Sequence, residues 1–133
     1  MARVYIIEDD PMVRVVVRRI LENSGHQVEA FQTSEAAMIA LEENPPDLAL
    51  VDVQLPLTSG IELSLFIEDV RPGTPVLFMS GYGPDDLARL GLPEGAPLIY
   101  KPFAGGELPR AVRAMIEPDS PYRVPRFGGP QPH

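Results

Sequence analysis

At 133 residues, with 44% hydrophobic and 23% charged residues, the chain has the make-up of one globular domain with room for a buried core. It has no cysteine, which excludes a disulfide framework and a thiolate zinc site, and its net charge of −8 argues against direct nucleic-acid binding, which needs a basic footprint. No apolar run approaches the roughly 20 residues needed to cross a bilayer, and the start MARVYIIEDD turns acidic too early for a signal peptide, so a cytoplasmic protein without membrane insertion is expected. The two histidines, His26 and His133, stand far apart with no ligand pattern around them and are expected at the surface.

In chain order, Val4 to Ile7 is a short apolar run rich in β-branched residues that stops at three acids, Glu8, Asp9 and Asp10. Pro11 suits a first helical position, where its missing N–H costs nothing. Val13, Val16, Val17, Ile20 and Leu21 then recur with the spacing of one buried helix face, ending at Asn23, Ser24 and Gly25. Gln27 to Phe31 reads as a second strand. Thr33 or Ser34 can cap a helix to about Glu43 with Ala37, Met38 and Leu41 inward, and Asn44, Pro45 and Pro46 break it.

Leu48 to Val51 reads as a buried third strand ending in Asp52. After the loop QLPLTSG comes a helix through about Val70, apolar on more than one face, which implies deep burial or a partner surface. Val76 to Met79 makes a fourth strand ending at Ser80. Asp85 to Leu90 allows little more than a helical turn before Gly91, Pro93, Gly95 and Pro97. Leu98 to Tyr100 is a fifth strand, followed by Lys101, Pro102 and a helix from about Glu107 to Ile116 with Leu108, Val112, Met115 and Ile116 aligned. Residues 1–117 are thus expected to form one domain. The proline- and glycine-rich residues 118–133 are expected to be a flexible tail or linker.

Strands alternating with helices imply an α/β fold with a parallel sheet covered on both faces. In such a sheet the carboxyl ends of the strands share one edge, so Glu8, Asp9, Asp52, Ser80 and Lys101 can converge on one pocket. An aspartate that ends a strand is also an ordinary turn former, and it is this convergence that favours a reactive role for Asp52. Two carboxylates about 4 Å apart repel by roughly 4 kcal/mol at an effective dielectric near 20. A hard divalent cation relieves that repulsion, and an oxygen-only donor set favours Mg²⁺. Lys101 and Ser80 suit phosphate oxygens. The physical reading is transfer of a phosphoryl group to Asp52 beside Mg²⁺.

The segments IIEDDP, DVQLPLTSG, FMSG and YKPF, in this order and spacing, resemble the receiver domain of bacterial two-component response regulators over nearly all of residues 3–117. The resemblance implies a flavodoxin-like, doubly wound, five-stranded parallel sheet of order 2-1-3-4-5. It implies that Asp52 is the phosphoacceptor, that Asp9 ligates Mg²⁺ directly and Glu8 through water, and that Gln54 offers its backbone carbonyl to the metal. Ser80 would bind the phosphoryl group and Lys101 would pair with it; a cis Lys101–Pro102 bond is also implied. The implied partners are a histidine kinase or phosphotransfer protein upstream and a protein target downstream, for a stand-alone regulator or for the receiver of a larger protein such as a hybrid kinase. Autodephosphorylation at Asp52 is expected.

Two features depart from the family pattern. Leu98 stands where most members carry an aromatic switch residue, with Tyr100 beside the lysine, and the Gly/Pro-rich stretch after FMSGYG resembles a subgroup with a shortened fourth helix. An aspartyl-nucleophile phosphatase is disfavoured because Gln54 stands where such enzymes carry a second acid. A non-phosphorylated interaction module would be expected to have lost acids or the lysine. Dinucleotide binding lacks a G-x-G-x-x-G after the first strand.

Overall fold

A computed structural model describes residues 2–103 and 106–128. Ten elements alternate along the chain: β1 (Arg3–Ile7), α1 (Pro11–Asn23), β2 (Gln27–Phe31), α2 (Ser34–Glu43), β3 (Leu48–Asp52), α3 (Gly60–Val70), β4 (Val76–Ser80), α4 (Pro84–Leu90), β5 (Leu98–Tyr100) and α5 (Glu107–Ile116). The strands form one parallel sheet of order β2-β1-β3-β4-β5, the expected doubly wound arrangement.

Alternation along the strands divides the core between the two faces of the sheet. Tyr5, Ile7, Ala49, Val51, Phe78 and Leu98 face α2, α3 and α4, where Ala37, Leu41, Leu63, Ile67 and Leu87 meet them. Val4, Ile6, Leu48, Leu50, Leu77 and Met79 face α1 and α5, against Val17, Leu21, Leu108 and Val112. Both β1 and β3 are interior strands, and their near-continuous apolar sequence follows from burial on both sides.

Local chemistry sets the helix ends. The Asp10 carboxylate caps α1 by accepting the Met12 N–H at 2.9 Å, with Pro11 at the first helical position. Thr33 caps α2, and Ser59 with Glu62 forms a reciprocal capping box at α3. Gly91, at φ 89°, ends the seven-residue α4 in the left-handed conformation that glycine adopts without strain.

Several expectations are corrected. Val16 does not belong to the buried face of α1: it is 49% exposed, and Val17 and Leu21 carry the packing. On α3, in keeping with apolar residues on more than one face, Leu63 and Ile67 are buried while Leu65 is exposed. His26 is half-buried, with Nδ1 enclosed and burial pushing its imidazole below the ordinary value. His133 lies outside the described residues.

The largest difference concerns the chain after α5. Residues 121–127, expected within a flexible tail, pack on the core, and residues 125–127 run antiparallel to residues 96–98 at the edge of β5. Leu98 N–H donates to Pro125 O at 2.9 Å and Phe127 N–H to Ala96 O at 2.9 Å, around a bridge between Pro97 and Arg126. Tyr122 and Val124 pack on the α1/α5 side of the core and Phe127 on the other, as the two-residue period of an extended segment requires. A composition rich in proline rules out a helix there, but not an edge strand, which needs only alternate N–H groups.

Candidate functional site

At the carboxyl edge of the sheet, β1 leads into Glu8 and Asp9, β3 and β4 end at Asp52 and Ser80, and β5 leads into Lys101. Side by side, β1, β3, β4 and β5 bring these five residues together as expected. Glu8, Asp52 and Ser80 are buried polar residues at this edge of a mainly apolar interior, with Asp52 6% exposed. Burial of this kind requires partners.

Those partners are present. Lys101 Nζ donates to Asp52 Oδ2 at 2.7 Å and also to Glu8 Oε1, so one ammonium bridges two carboxylates. The other Asp52 oxygen accepts the Gln54 N–H at 2.9 Å, and Ser80 Oγ accepts the Tyr82 N–H at 2.9 Å. Asp10 N–H donates to Glu8 Oε2 at 3.3 Å. Of the three consecutive acids, Asp10 is occupied in capping α1, which leaves Glu8 and Asp9 for the site. The Lys101–Pro102 bond is cis.

Charge in the pocket is not balanced. Glu8, Asp9 and Asp52 each offer a carboxylate oxygen within 4.8 Å of the others, against the single ammonium of Lys101. Burial, and next the hydrogen bond with Asp52, push the Glu8 carboxyl up to about 7 despite Lys101. Burial would lower Lys101, but its hydrogen bonds to Asp52 and Glu8 outweigh it and hold the ammonium above its ordinary value. An oxygen-only set with surplus negative charge fits a small hard cation.

Two further residues shape this pocket: Arg14, which the sequence reading passed over, and Gly60, which it placed only as the end of a loop. Arg14, on α1, donates through one guanidinium nitrogen to the backbone carbonyls of Glu8 at 2.9 Å and Asp9 at 3.1 Å, and so fixes the loop that carries the acids. Its place one helical turn past the acidic run was the available signal. Gly60 opens α3 against the end of β3, where a Cβ would lie 2.0 Å from the carbonyl oxygen of Asp52. Only glycine permits that approach, and in the sequence it is the last residue of the DVQLPLTSG segment.

The response regulator receiver domain model matches residues 4–113. The chain belongs to the response regulator receiver domain family. It is therefore a signalling domain of two-component systems. The chain is 33% identical over 123 residues to the phosphate regulon transcriptional regulatory protein PhoB of Rhizobium meliloti, a match covering 90% of this chain and 54% of that protein. It is 30% identical over 121 residues to the response regulator receiver protein CpdR of Brucella abortus, covering 87% of this chain and 98% of that protein. This receiver spans about half the length of the first curated relatives it matches. Among solved structures, a CheY-like receiver domain protein from Methanospirillum hungatei aligns at a TM-score of 0.75 with 30% identity, covering 87% of this chain and 94% of that one. Among the described residues no helix is long and apolar enough to cross a membrane.

Proposed function

We propose that this receiver accepts a phosphoryl group on Asp52 from the phosphohistidine of a histidine kinase or phosphotransfer protein, and that the modified domain controls a protein partner. The observation that carries this reading is the bridging of Asp52 and Glu8 by Lys101 at the tips of adjacent strands. Each Asp52 oxygen accepts one hydrogen bond and retains a lone pair.

In the transfer, a bond forms between an Asp52 oxygen and phosphorus as the donor's N–P bond breaks. The electron pair of that bond leaves on the imidazole nitrogen, which takes a proton from solvent. The Lys101 ammonium offsets the charge carried by the phosphoryl oxygens. Ser80 is suited to follow the phosphoryl group, because its Oγ already accepts from Tyr82 N–H and its own proton is free to donate.

The carboxylates of Asp9 and Asp52 and the carbonyl of Gln54 would hold Mg²⁺, with Glu8 reaching it through water; the surplus of carboxylates supports this. Bound there, the ion supplies shielding where an anionic nucleophile meets an anionic phosphoryl group. Hydrolysis of the resulting acyl phosphate returns the domain to its resting state. The domain is either a stand-alone regulator or the receiver of a larger protein. A protein target rather than DNA fits the net charge of −8, and a cytoplasmic location fits a donor charged from ATP.

Intact-mass spectrometry after incubation with acetyl phosphate and Mg²⁺ tests the reading. One added phosphoryl group on the wild type and none on Asp52→Asn is expected. Equal labelling of the two proteins would reject Asp52 as the acceptor.

A further inference from the structure

The entry to the β5 edge, at residues 96–98, is occupied by a piece of this chain that the family match does not include. The receiver model matches through residue 113, whereas the segment on the edge is 121–127. Without it the sheet would end in an open strand presenting the Leu98 N–H and the Ala96 carbonyl, the groups through which an extended peptide adds to a sheet. We propose that the β5 edge, between α4 and α5, is a strand-accepting docking surface and that residues 121–127 are its resident occupant, an exchangeable strap that keeps the surface shut. This proposal does not depend on the role given to Asp52.

The anchoring is specific but sparse. Phe127 packs on the core face that carries α4, and Tyr122 on the face that carries α5, where the Arg110 guanidinium lies 5.5 Å from its ring centroid. Among the described residues, main-chain bonding amounts to Leu98 N–H to Pro125 O, Phe127 N–H to Ala96 O and Gly95 N–H to Phe127 O, with one further bond from the Arg126 side chain to Gly95 O. Pro97 and Pro125 lack an N–H, one on each side of the pair, so the ladder cannot be extended through them. Contacts this few bind weakly in trans. They keep the edge occupied here because the short link from α5 gives the strap an effective concentration roughly in the millimolar range. The Tyr-x-Val-x-x-Phe pattern of the strap also defines the chemistry of a competing ligand: an extended segment with an apolar residue for each face of the sheet.

Two measurements on the full chain decide this. In hydrogen exchange of the wild type, the Leu98 and Phe127 amides should exchange at least tenfold faster than those of Ile6 and Leu50 in the central strands, because the strap opens without global unfolding. In the second, a fluorescent peptide with the sequence of residues 119–128 is titrated into the wild type and into a variant carrying Tyr122→Ala and Phe127→Ala, with Ile6 and Leu50 protection as the check of fold. The variant should bind at least fivefold more tightly, since its own strap no longer competes. Exchange of Leu98 and Phe127 at the rate of the central strands would make the segment a fixed part of the core and overturn the proposal. Equal peptide affinity for the two proteins would overturn it too, as would self-association of the variant in place of peptide binding.

Discussion

Replacing Glu8 with glutamine removes a carboxyl group that is fully buried beside Asp52 and Lys101 and keeps nearly the same shape. The native carboxyl titrates at about 7, raised from 4.5 by burial first and by Asp52 second. Between those two values the folded chain holds a proton that the unfolded chain has released, so stability falls as pH rises through this window and levels off above it. At about 1.4 kcal/mol for each tenfold change in proton affinity, the full effect is roughly 3 kcal/mol. Urea unfolding in EDTA from pH 4.5 to 8.5, read as the difference between wild type and Glu8→Gln, cancels the carboxylates remote from the pocket and reads Glu8 together with Asp52, whose titration is linked to it. Relative to the variant, the wild type should lose stability steadily up to about pH 7 and little beyond. A difference that is flat with pH, or that favours the wild type as pH rises, would refute the account of the pocket as under-compensated negative charge.

Further outcomes follow from the same geometry. Mg²⁺ at ten times its Kd should stabilise the wild type by about 1.4 kcal/mol, a shift of a few degrees in Tm, and Asp9→Ala should lose most of it; equal melting in EDTA and in Mg²⁺ at matched salt would remove the metal site. Gly60→Ala should cost about 1–3 kcal/mol in urea unfolding and slow phosphoryl uptake, because the new methyl meets the Asp52 carbonyl; wild-type stability would show that the end of β3 yields freely. Binding of beryllofluoride should change hydrogen exchange in residues 81–97, where a seven-residue helix and several glycines and prolines follow Ser80. Changes confined to α1 and α2 would exclude that segment as the route of the signal.

The alternation of strands and helices and the convergence of the pocket were legible from local patterns, whereas the strand order came from the resemblance to the receiver family. The four strands around the pocket are short, mainly apolar runs, and each ends in or leads straight into a polar residue suited to the same chemistry. Leu98, at the position of the family's aromatic switch residue, is 2% exposed, and Tyr100 beside the lysine turns outward. What escaped was set by tertiary neighbours. The run Val15-Val16-Val17 satisfies more than one helical phase, and only packing against the sheet selects Val17. His26 follows a turn glycine and is enclosed by contacts that no local pattern announces. The strap shows this most plainly. Its prolines signal an irregular chain, while Tyr122, Val124 and Phe127 gain meaning only once β5 is known to be an edge strand.

The central claim, that Asp52 takes the phosphoryl group, is tested most directly by locating the modified residue. Borohydride reduces an acyl phosphate to the alcohol, so a phosphorylated aspartate becomes homoserine and can be found by peptide mass spectrometry. After reaction with a phosphohistidine donor and Mg²⁺, homoserine should appear at residue 52 and nowhere else. Homoserine at residue 9 or 10, or none despite uptake of phosphate, would contradict the account.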